Sequence, residues 1–355
     1  MEENKSSKKS RSFKKSKSTN NLTKEELIKL ESKPRNKTHD ILKLILPIIA
    51  GLIAIFEYVY LPDHNSSAVK TNLYNGFLWI LLAIYGIVLL ISFKNENLRD
   101  RLIYKSPFYT FVFILLLIYD VLTLKTAKLD LPYFPWMDMI FNSMKEDASF
   151  LTDSVLSSLK LLFTGYFIGA ILGIITGILA GYFDKVNYWV DPFLKLLGPI
   201  PTTTWLPVVM VIAINLFQGA VFIIQLGVWF STTLATITGI HNVDPSYYEA
   251  AQTLGATNSE LVRKIAIKSA TPNIFQGLIA GMSAACNALI VAEMLGVESG
   301  LGWYITWKSS WADYSAMYGA IILLAITFIL VNIIIKKISK NALKWRSGGA
   351  VRWVN

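Results

Sequence analysis

Few residues of this 355-residue chain have the types and spacing that chemistry requires. His39, His64 and His241 lie far apart in sequence and show no metal-ligand spacing. The single cysteine, Cys286, lies in an apolar run and has no partner for an internal disulfide. Neither a Gly-x-x-x-x-Gly-Lys-Ser/Thr phosphate loop nor a nucleophile–base pattern occurs. We therefore expect a chain that is not an enzyme, with no catalytic residue, metal or cofactor of its own.

Polar residues inside apolar runs are more informative. Asn287 and Glu293 lie in a run that starts near Pro272. A carboxylate at membrane depth is costly unless it faces protein or water, so such a residue is a functional candidate. Glu293 falls near the far end of its run, where two interpretations stay open. It either meets an external protein at the mouth of a path, or caps backbone donors of the following loop.

A second candidate is the run Pro-Ile-Pro-Thr-Thr-Thr-Trp-Leu-Pro at residues 199–207. Its prolines prevent a regular helix, and irregular backbone at membrane depth is tolerated only where it is buried in protein or lines a watery path. The threonine hydroxyls either face that path or donate to carbonyls of their own helix. The sequence predicts that the wall of the path contains Pro199, Pro201, Thr202, Thr203 and Thr204, with Gln225, Thr232, Asn287 and Glu293 from later runs.

Membrane-spanning helices must position these residues. The chain is 53% apolar, and eight of its runs approach the roughly 20 residues that cross a bilayer. We predict an all-α polytopic membrane protein with spans at residues 41–61, 74–93, 107–125, 155–183, 192–214, 219–239, 272–295 and 315–336. Glu57 and Asp120 fall near the outer ends of their spans and are expected to reach the interface.

The charges predict the orientation of the spans. The net charge of +10 lies mostly in tails and loops beside spans, which favours a lipid bilayer over nucleic acid as the partner. Basic residues favour the cytoplasmic side of a membrane, and both ends of the chain are basic. We therefore expect a cell-membrane protein with both termini in the cytoplasm. Trp303, Trp307 and Trp311 fall in an outer loop, as interfacial aromatic residues do.

The composition also predicts an organisation into segments. Residues 1–40 are rich in Lys and Ser and are expected to form a disordered basic cytoplasmic tail. Residues 41–130 form a three-span module, and a loop with Pro132 and Pro135 separates it from a core at 153–340. Residues 341–355 form a second basic cytoplasmic tail.

Five glycines at a spacing of four residues lie near one face of the fourth span, where another backbone can approach closely. The stripe is read either as helix packing inside one subunit or as a seam that slides; its members are Gly165, Gly169, Gly173, Gly177 and Gly181.

Residues 244–270 form a polar island between spans. Asp244-Pro245 starts a short helix at 246–254, Gly255 breaks it, and a second short helix is predicted at 258–267. The run Glu249-Ala250-Ala251, three residues, Gly255, nine residues and Ile265-Ala266-Ile267 resembles the EAA loop of importer-type ABC transporter permeases. That family usually has Leu-Pro after the second helix. Here Ile267-Lys268 stands in its place, so the second helix is expected to run longer.

Other motifs resemble the nitrate, sulfonate, taurine and bicarbonate branch of this family. They are Pro-Ile-Pro followed by Trp-Leu-Pro, Ala-Glu-Met-Leu-Gly at 292–296, and Gly-Leu-Gly at 300–302. The resemblance covers about residues 153–345, so the first three spans lie outside it.

The resemblance implies a type I importer permease core that couples to a separate ATPase, which binds the ATP. It also implies a second permease subunit, expected as a homodimer, and an extracytoplasmic substrate-binding protein. The implied coupling residues are Tyr248, Glu249, Ala250, Ala251, Leu254, Gly255, Ala256 and Ile265. A small anion is the favoured solute; thiamine-precursor pyrimidines or riboflavin remain alternatives. An ATP-independent carrier is disfavoured because deep charges and an internal repeat are not seen.

Overall fold

The computed structural model of the chain describes residues 37–64 and 71–347. Nearly all of the predicted tail at 1–40, and most of the predicted tail at 341–355, lie outside these residues. Within the described ranges every regular element is helical. The helices are α1 Lys37–Tyr60, α2 Leu73–Ser92, α3 Glu96–Asp120, α4 Met137–Glu146, α5 Ala148–Tyr182, α6 Asp184–Leu197, α7 Leu206–Ile212, α8 Leu216–His241, α9 Pro245–Thr253, α10 Asn258–Glu260, α11 Ile267–Leu295, α12 Leu301–Ser310, α13 Tyr314–Ala342 and α14 Lys344–Ser347.

Seven of the described helical stretches are long and apolar enough to cross a membrane, and a bent pair of helices raises the number to eight. This confirms the predicted all-α fold. The fifth predicted span differs from a regular helix, because α6 and the segment Thr202–Ile212 meet at 89°. Residues 184–191, expected in a loop, begin α6. An ion pair between Asp191 and Lys195, one helical turn apart at 2.6 Å, supports this helix.

The chain divides into two compact units at residues 1–128 and 129–355. In the first unit, α1–α3 pack around Leu44, Tyr85, Leu102 and Ile103. The phenol of Tyr85 donates to the Leu44 carbonyl at 2.9 Å, so a polar atom inside the bundle is satisfied.

The expectation that Glu57 and Asp120 reach the interface was wrong, since both side chains are buried. The first turn of α2 packs against the ends of α1 and α3 and covers them. The rings of Tyr58 and Tyr74 meet edge to face at 5.3 Å, and the Tyr74 phenol donates to the Leu116 carbonyl at 3.3 Å. Helix ends that meet in this way bury polar groups that the hydropathy pattern places near water.

In the second unit, the glycine stripe of α5 packs against α8. A Cβ added at Gly173 would lie 2.8 Å from the Thr232 Cβ, and one added at Gly169 would lie 2.6 Å from the Gln225 carbonyl oxygen. The Thr233 hydroxyl donates to the Gly173 carbonyl at 3.3 Å across this contact. Helix packing inside one subunit, the first interpretation of the stripe, is what the structure shows. The α5–α8 pair and α11 form the main core of the unit.

Candidate functional site

The irregular segment between α6 and α7, which we call the broken segment, lies beside the contact between α8 and α11. Residues Thr202–Trp205 form a 3-10 turn that leads into α7. A Cβ added at Gly227 of α8 would lie 3.4 Å from the Thr202 Oγ1 and 3.5 Å from the Ala284 Cβ of α11. The segment is therefore held where these two helices approach each other.

The prolines and threonines of this segment are accessible to different degrees. Pro199, Pro201 and Thr204 are exposed, whereas Thr202 and Thr203 are half-buried. In the part of the chain that the structure describes, no side-chain hydrogen bond involves the three threonine hydroxyls. Donation to carbonyls of their own turn, the alternative considered from the sequence, is thus not observed.

A line of polar side chains follows one face of α11. Asn273, Gln276, Ser283 and Asn287 are separated by three, seven and four residues, which places them along one side of a helix. We call these four residues the polar stripe. Gln276, Ser283 and Asn287 are exposed in the single chain, and Asn273 is half-buried. Polar side chains in a span rarely face lipid, so the stripe faces water or another protein chain.

A cavity of about 450 Å³ lies beside the N-terminal half of the stripe, between α8 and α11. Its polar lining comes from Ser231, Thr238, Asn242, Asn273 and Gln276, and no charged side chain of the described residues lines it. The hydroxyls of Ser231 and Thr238 donate to carbonyls of α8 at 3.1 and 2.8 Å, so they face the cavity as acceptors. The side-chain amides of Asn242, Asn273 and Gln276 retain hydrogen-bond donors and acceptors that a solute can use.

Two predicted path residues lie elsewhere. Gln225 lines a different cavity of about 400 Å³ together with Leu172, Phe193 and Trp229. Thr232 is fully buried, and its Oγ1 has no hydrogen-bond partner among the described residues. It fills the junction of α5, α8 and α11.

Glu293 is buried near the C-terminal end of α11, with 1% of its surface exposed. Its Oε2 accepts a hydrogen bond from the Gly302 amide at 2.8 Å, and the Ser158 hydroxyl accepts one from the Leu301 amide at 2.9 Å. Gly300 has a φ of +112°, and a Cβ there would overlap the Glu293 carboxylate. The carboxylate therefore caps the first turn of α12, as the second of its two interpretations proposed.

An ionic cluster forms around Lys308 of α12. The Lys308 ammonium contacts Asp147 at 2.6 Å and Asp313 at 3.1 Å, and the Tyr304 phenol donates to Asp147 at 2.6 Å. Burial alone would raise the pKa of Asp147 and lower the pKa of Lys308. The hydrogen bonds and charges of their partners together have the larger effect, in the opposite direction. Hydrogen bonds from Lys308 and Tyr304 hold the pKa of Asp147 below its ordinary value. The two carboxylates hold the pKa of Lys308 above its ordinary value.

The loop between α8 and α11 forms the second part of the site. The Asp244 carboxylate accepts from the Ser246 amide at 2.9 Å and starts α9. The hydrogen bonds from the Ser246 amide and the Ser246 hydroxyl hold the pKa of Asp244 below its ordinary value. Gly255 has a φ of +82°, a left-handed conformation that glycine adopts without strain. The Glu260 carboxylate then accepts from the Thr257 amide at 3.1 Å and starts the next helix.

The second helix of the loop is not a separate short helix. α10, a π turn at Leu261–Ala266 and α11 form one helical stretch of 38 residues, Asn258–Leu295. The predicted longer second helix is therefore continuous with the span, and Pro272 lies inside it.

The loop is attached by one side and exposed on the other. Tyr248 packs against Ala266, Ala270 and Ile274, and its ring lies 6.3 Å from that of Tyr182. Ala251, Ala256 and Ile265 are half-buried. Glu249, Ala250 and Gly255 are exposed, as is the apolar Leu254, with 89% of its surface accessible.

Sequence reasoning found the loop and the broken segment but missed part of the site. Asn273, Gln276 and Ser283 carry a signal in their spacing with Asn287, since polar residues that recur on one face of an apolar span are visible in the sequence. The contact between Asp147 and Lys308 carries no such signal, because the two residues are far apart in the chain.

The fold and the site define a polytopic membrane protein in which one helical stretch carries both an exposed loop and a line of polar side chains. Residues 169–341 match the model of the family described as the binding-protein-dependent transport system inner membrane component. Over these residues, just under half of the chain, the protein matches the membrane component of importer-type ABC transporters, which confirms the resemblance found in its sequence.

Individual relatives agree with this family. A protein of Methanocaldococcus jannaschii named as an ABC transporter permease is 31% identical over 44% of this chain and 58% of its own length. An aliphatic sulfonates transport permease of Bacillus subtilis is 28% identical over 52% of this chain and 66% of its own. A nitrate import permease of Synechococcus elongatus is 25% identical over 42% and 54%. The chain thus matches less than two thirds of each relative's length.

One solved structure, of an amino acid ABC transporter with histidines, aligns with 57% of this chain and 97% of its own at 20% identity and a TM-score of 0.48.

Proposed function

We propose that this chain is the membrane-spanning subunit of an ATP-driven importer and encloses the path of a small solute. A second copy of the chain would supply the opposite wall. The exposed polar stripe supports this arrangement, because a second copy facing it would enclose water rather than lipid along the stripe. Symmetric pairing of identical surfaces is the commonest way to close such an interface.

The observation that carries the proposal is the single helical stretch Asn258–Leu295. It starts in the exposed loop around Gly255 and carries the polar stripe along its length. A cytoplasmic ATPase that binds Leu254, Glu249 and Ala250 would therefore act directly on a wall of the path. ATP binding in that partner would bias a two-state permease between its inward- and outward-facing forms.

A small anion is the proposed solute. Two relatives are named for aliphatic sulfonates and nitrate, and the cavity beside the stripe offers amide N–H donors with no carboxylate to repel an anion. An external binding protein would deliver the solute to the outer side. Both termini would lie in the cytoplasm of a cell-membrane protein, since the basic residues cluster on that side of the spans.

Affinity purification of the tagged full-length chain from native membranes in mild detergent, followed by mass spectrometry, tests the proposal. We expect an ATPase with a Walker motif to co-purify with the chain. Leu254→Ser removes the most exposed apolar side chain of the loop and should abolish this association. Glu96→Gln is the matched control, because Glu96 is also exposed but lies in the first unit. A permease that purifies without an ATPase and moves solute in liposomes without ATP would refute it.

A further inference from the structure

A membrane-facing groove runs between α5, α11 and α13 and has a volume of about 340 Å³. Its floor is buried and consists of Tyr166, Ala170 and Val331. Its rims are exposed, with Ile171 on the α5 side and Ile338 on the α13 side. The groove therefore opens sideways, away from the cavity beside the polar stripe.

The lining of the groove excludes a polar ligand. All of its lining side chains are apolar or aromatic, and the one hydroxyl, that of Tyr166, already donates to the Leu278 carbonyl at 3.1 Å. No polar atom of the lining is left to bind a solute, and a buried solute polar group without a partner is costly. Hydrocarbon is the ligand chemistry that fits.

The inner end of the groove is basic. Lys268 lies seven residues before Phe275, two turns along the same face of α11. Lys337 follows the lining residue Ile334 of α13 by three residues, which places it about one turn further along the same side of the helix. Both lysines are exposed, and neither forms an ion pair within the ranges 37–64 and 71–347.

The length of α13 places these charges at headgroup level. A helix of 29 residues is about 43 Å long, whereas the hydrocarbon core of a bilayer is about 30 Å thick. The last turns of α13, including Lys337, therefore extend past the hydrocarbon, where lysine side chains reach lipid phosphates.

We propose that this groove binds one anionic phospholipid of the inner leaflet. An acyl chain lies along the floor formed by Tyr166, Ala170 and Val331, and the phosphate lies between Lys268 and Lys337. A ligand that is apolar along most of its length and negative at one end matches both features. The lipid would hold α13 against α11, the helix that carries the coupling loop and the polar stripe. The proposal rests on the proposed function only for the assignment of the inner side.

Native mass spectrometry of the full-length chain in detergent tests this site, with phosphatidylglycerol, phosphatidylcholine and soluble glycerol 1-phosphate as separate probes. We expect wild type to retain phosphatidylglycerol in preference to phosphatidylcholine and not to bind glycerol 1-phosphate. The double variant Lys268→Gln, Lys337→Gln should bind phosphatidylglycerol about thirtyfold more weakly, since each lysine near a membrane surface contributes about 1 kcal/mol and each 1.4 kcal/mol is a factor of about ten. Lys340→Gln is the control, because Lys340 lies on the opposite side of α13 from the groove.

Ala170→Phe provides an independent variant that fills the floor without changing the charges. It should reduce retention of phosphatidylglycerol as well, and the double lysine variant tests the site if Ala170→Phe does not fold. Equal retention by wild type and the double lysine variant, or equal retention of both phospholipids, overturns the proposal. Binding of glycerol 1-phosphate without either phospholipid would overturn the proposal and show that the lysines bind a free phosphate. A protein that co-purifies equally with wild type and the double lysine variant would overturn it as well and show that the groove binds a protein helix. Failure of the importer assignment would leave these results unchanged.

Discussion

The Glu293 carboxylate accepts a hydrogen bond from the Gly302 backbone amide at 2.8 Å and so joins the C-terminal end of α11 to the first turn of α12. A carboxylate at a helix N-terminus is favoured by the unpaired amides and by the dipole of the helix. Gly300 and Gly302 leave the space that this side chain occupies. The acid inside the seventh predicted span thus has a structural role that can be tested directly.

Glu293→Ala should lower the free energy of unfolding by about 1–3 kcal/mol, because it leaves the Gly302 amide of α12 without its acceptor. Glu293→Gln keeps an acceptor oxygen of nearly the same shape and should lose less. Thermal unfolding of the purified variants in detergent measures both. Equal stability of Glu293→Ala and wild type would show that the cap contributes nothing.

Gly255→Pro should uncouple ATP hydrolysis from transport. Proline fixes φ near −65°, whereas Gly255 has a φ of +82°, so the turn between α9 and α10 must rearrange. Gly255→Asn is the matched control, because asparagine tolerates the left-handed conformation and no atom lies within 4 Å of an added Cβ. ATPase activity and solute uptake are measured together in proteoliposomes that contain the ATPase and the binding protein. Coupled transport by the proline variant would contradict the assigned role of the loop.

Lys308→Met should destabilise the protein near neutral pH and lose that effect in acid. The pKa of Asp147 is lowered in the folded state, so its contribution is present above the unfolded value of about 3.9 and is lost as the pH falls through the folded value. The pKa of Lys308 is raised, so its contribution persists at neutral pH and is lost only as the pH rises through the folded value.

The measurement is the melting temperature of wild type and Lys308→Met between pH 3 and pH 8. The difference between the two proteins should shrink below about pH 4. Lys195→Met is the control, since its ion pair with Asp191 is exposed and such pairs contribute little. A difference that stays constant over the whole range would show that the lost stability comes from packing against Tyr304 and Trp307 rather than from charge.

A cysteine at Ser283 should react with a water-soluble maleimide in membranes, because the polar stripe is expected to face a watery path. The background is Cys286→Ser, which removes the single native thiol. Ile333→Cys is the matched control, since Ile333 is similarly exposed in one chain but lies among apolar residues of α13. Equal labelling rates at the two positions would remove the stripe from the path.

The sequence predicts features that depend on neighbouring residues better than contacts between residues that are far apart in the chain. The spans follow from the length of apolar runs, and Gly255 follows from a local turn, so both were predicted correctly. The 89° bend between α6 and the turn at Thr202 was predicted only as a break, since prolines exclude a regular helix without fixing an angle. The partners of Asp147, and the burial of Thr232 between glycines of two other helices, depend on packing that no local pattern encodes.

The π turn and Pro272, the two features that let a helix bend, both lie in the inner part of the stretch Asn258–Leu295. From Pro272 to Leu295 the backbone has no further proline or π turn, so it behaves as a rigid rod. A displacement of the loop around Gly255 would therefore bend the helix only in this N-terminal part and would be transmitted unchanged along the rest of it. This part of the helix ends at Leu295, two residues after Glu293, whose carboxylate caps α12. If the loop binds an ATPase as proposed, ATP binding in that partner would displace α12 at the far end of the same helix.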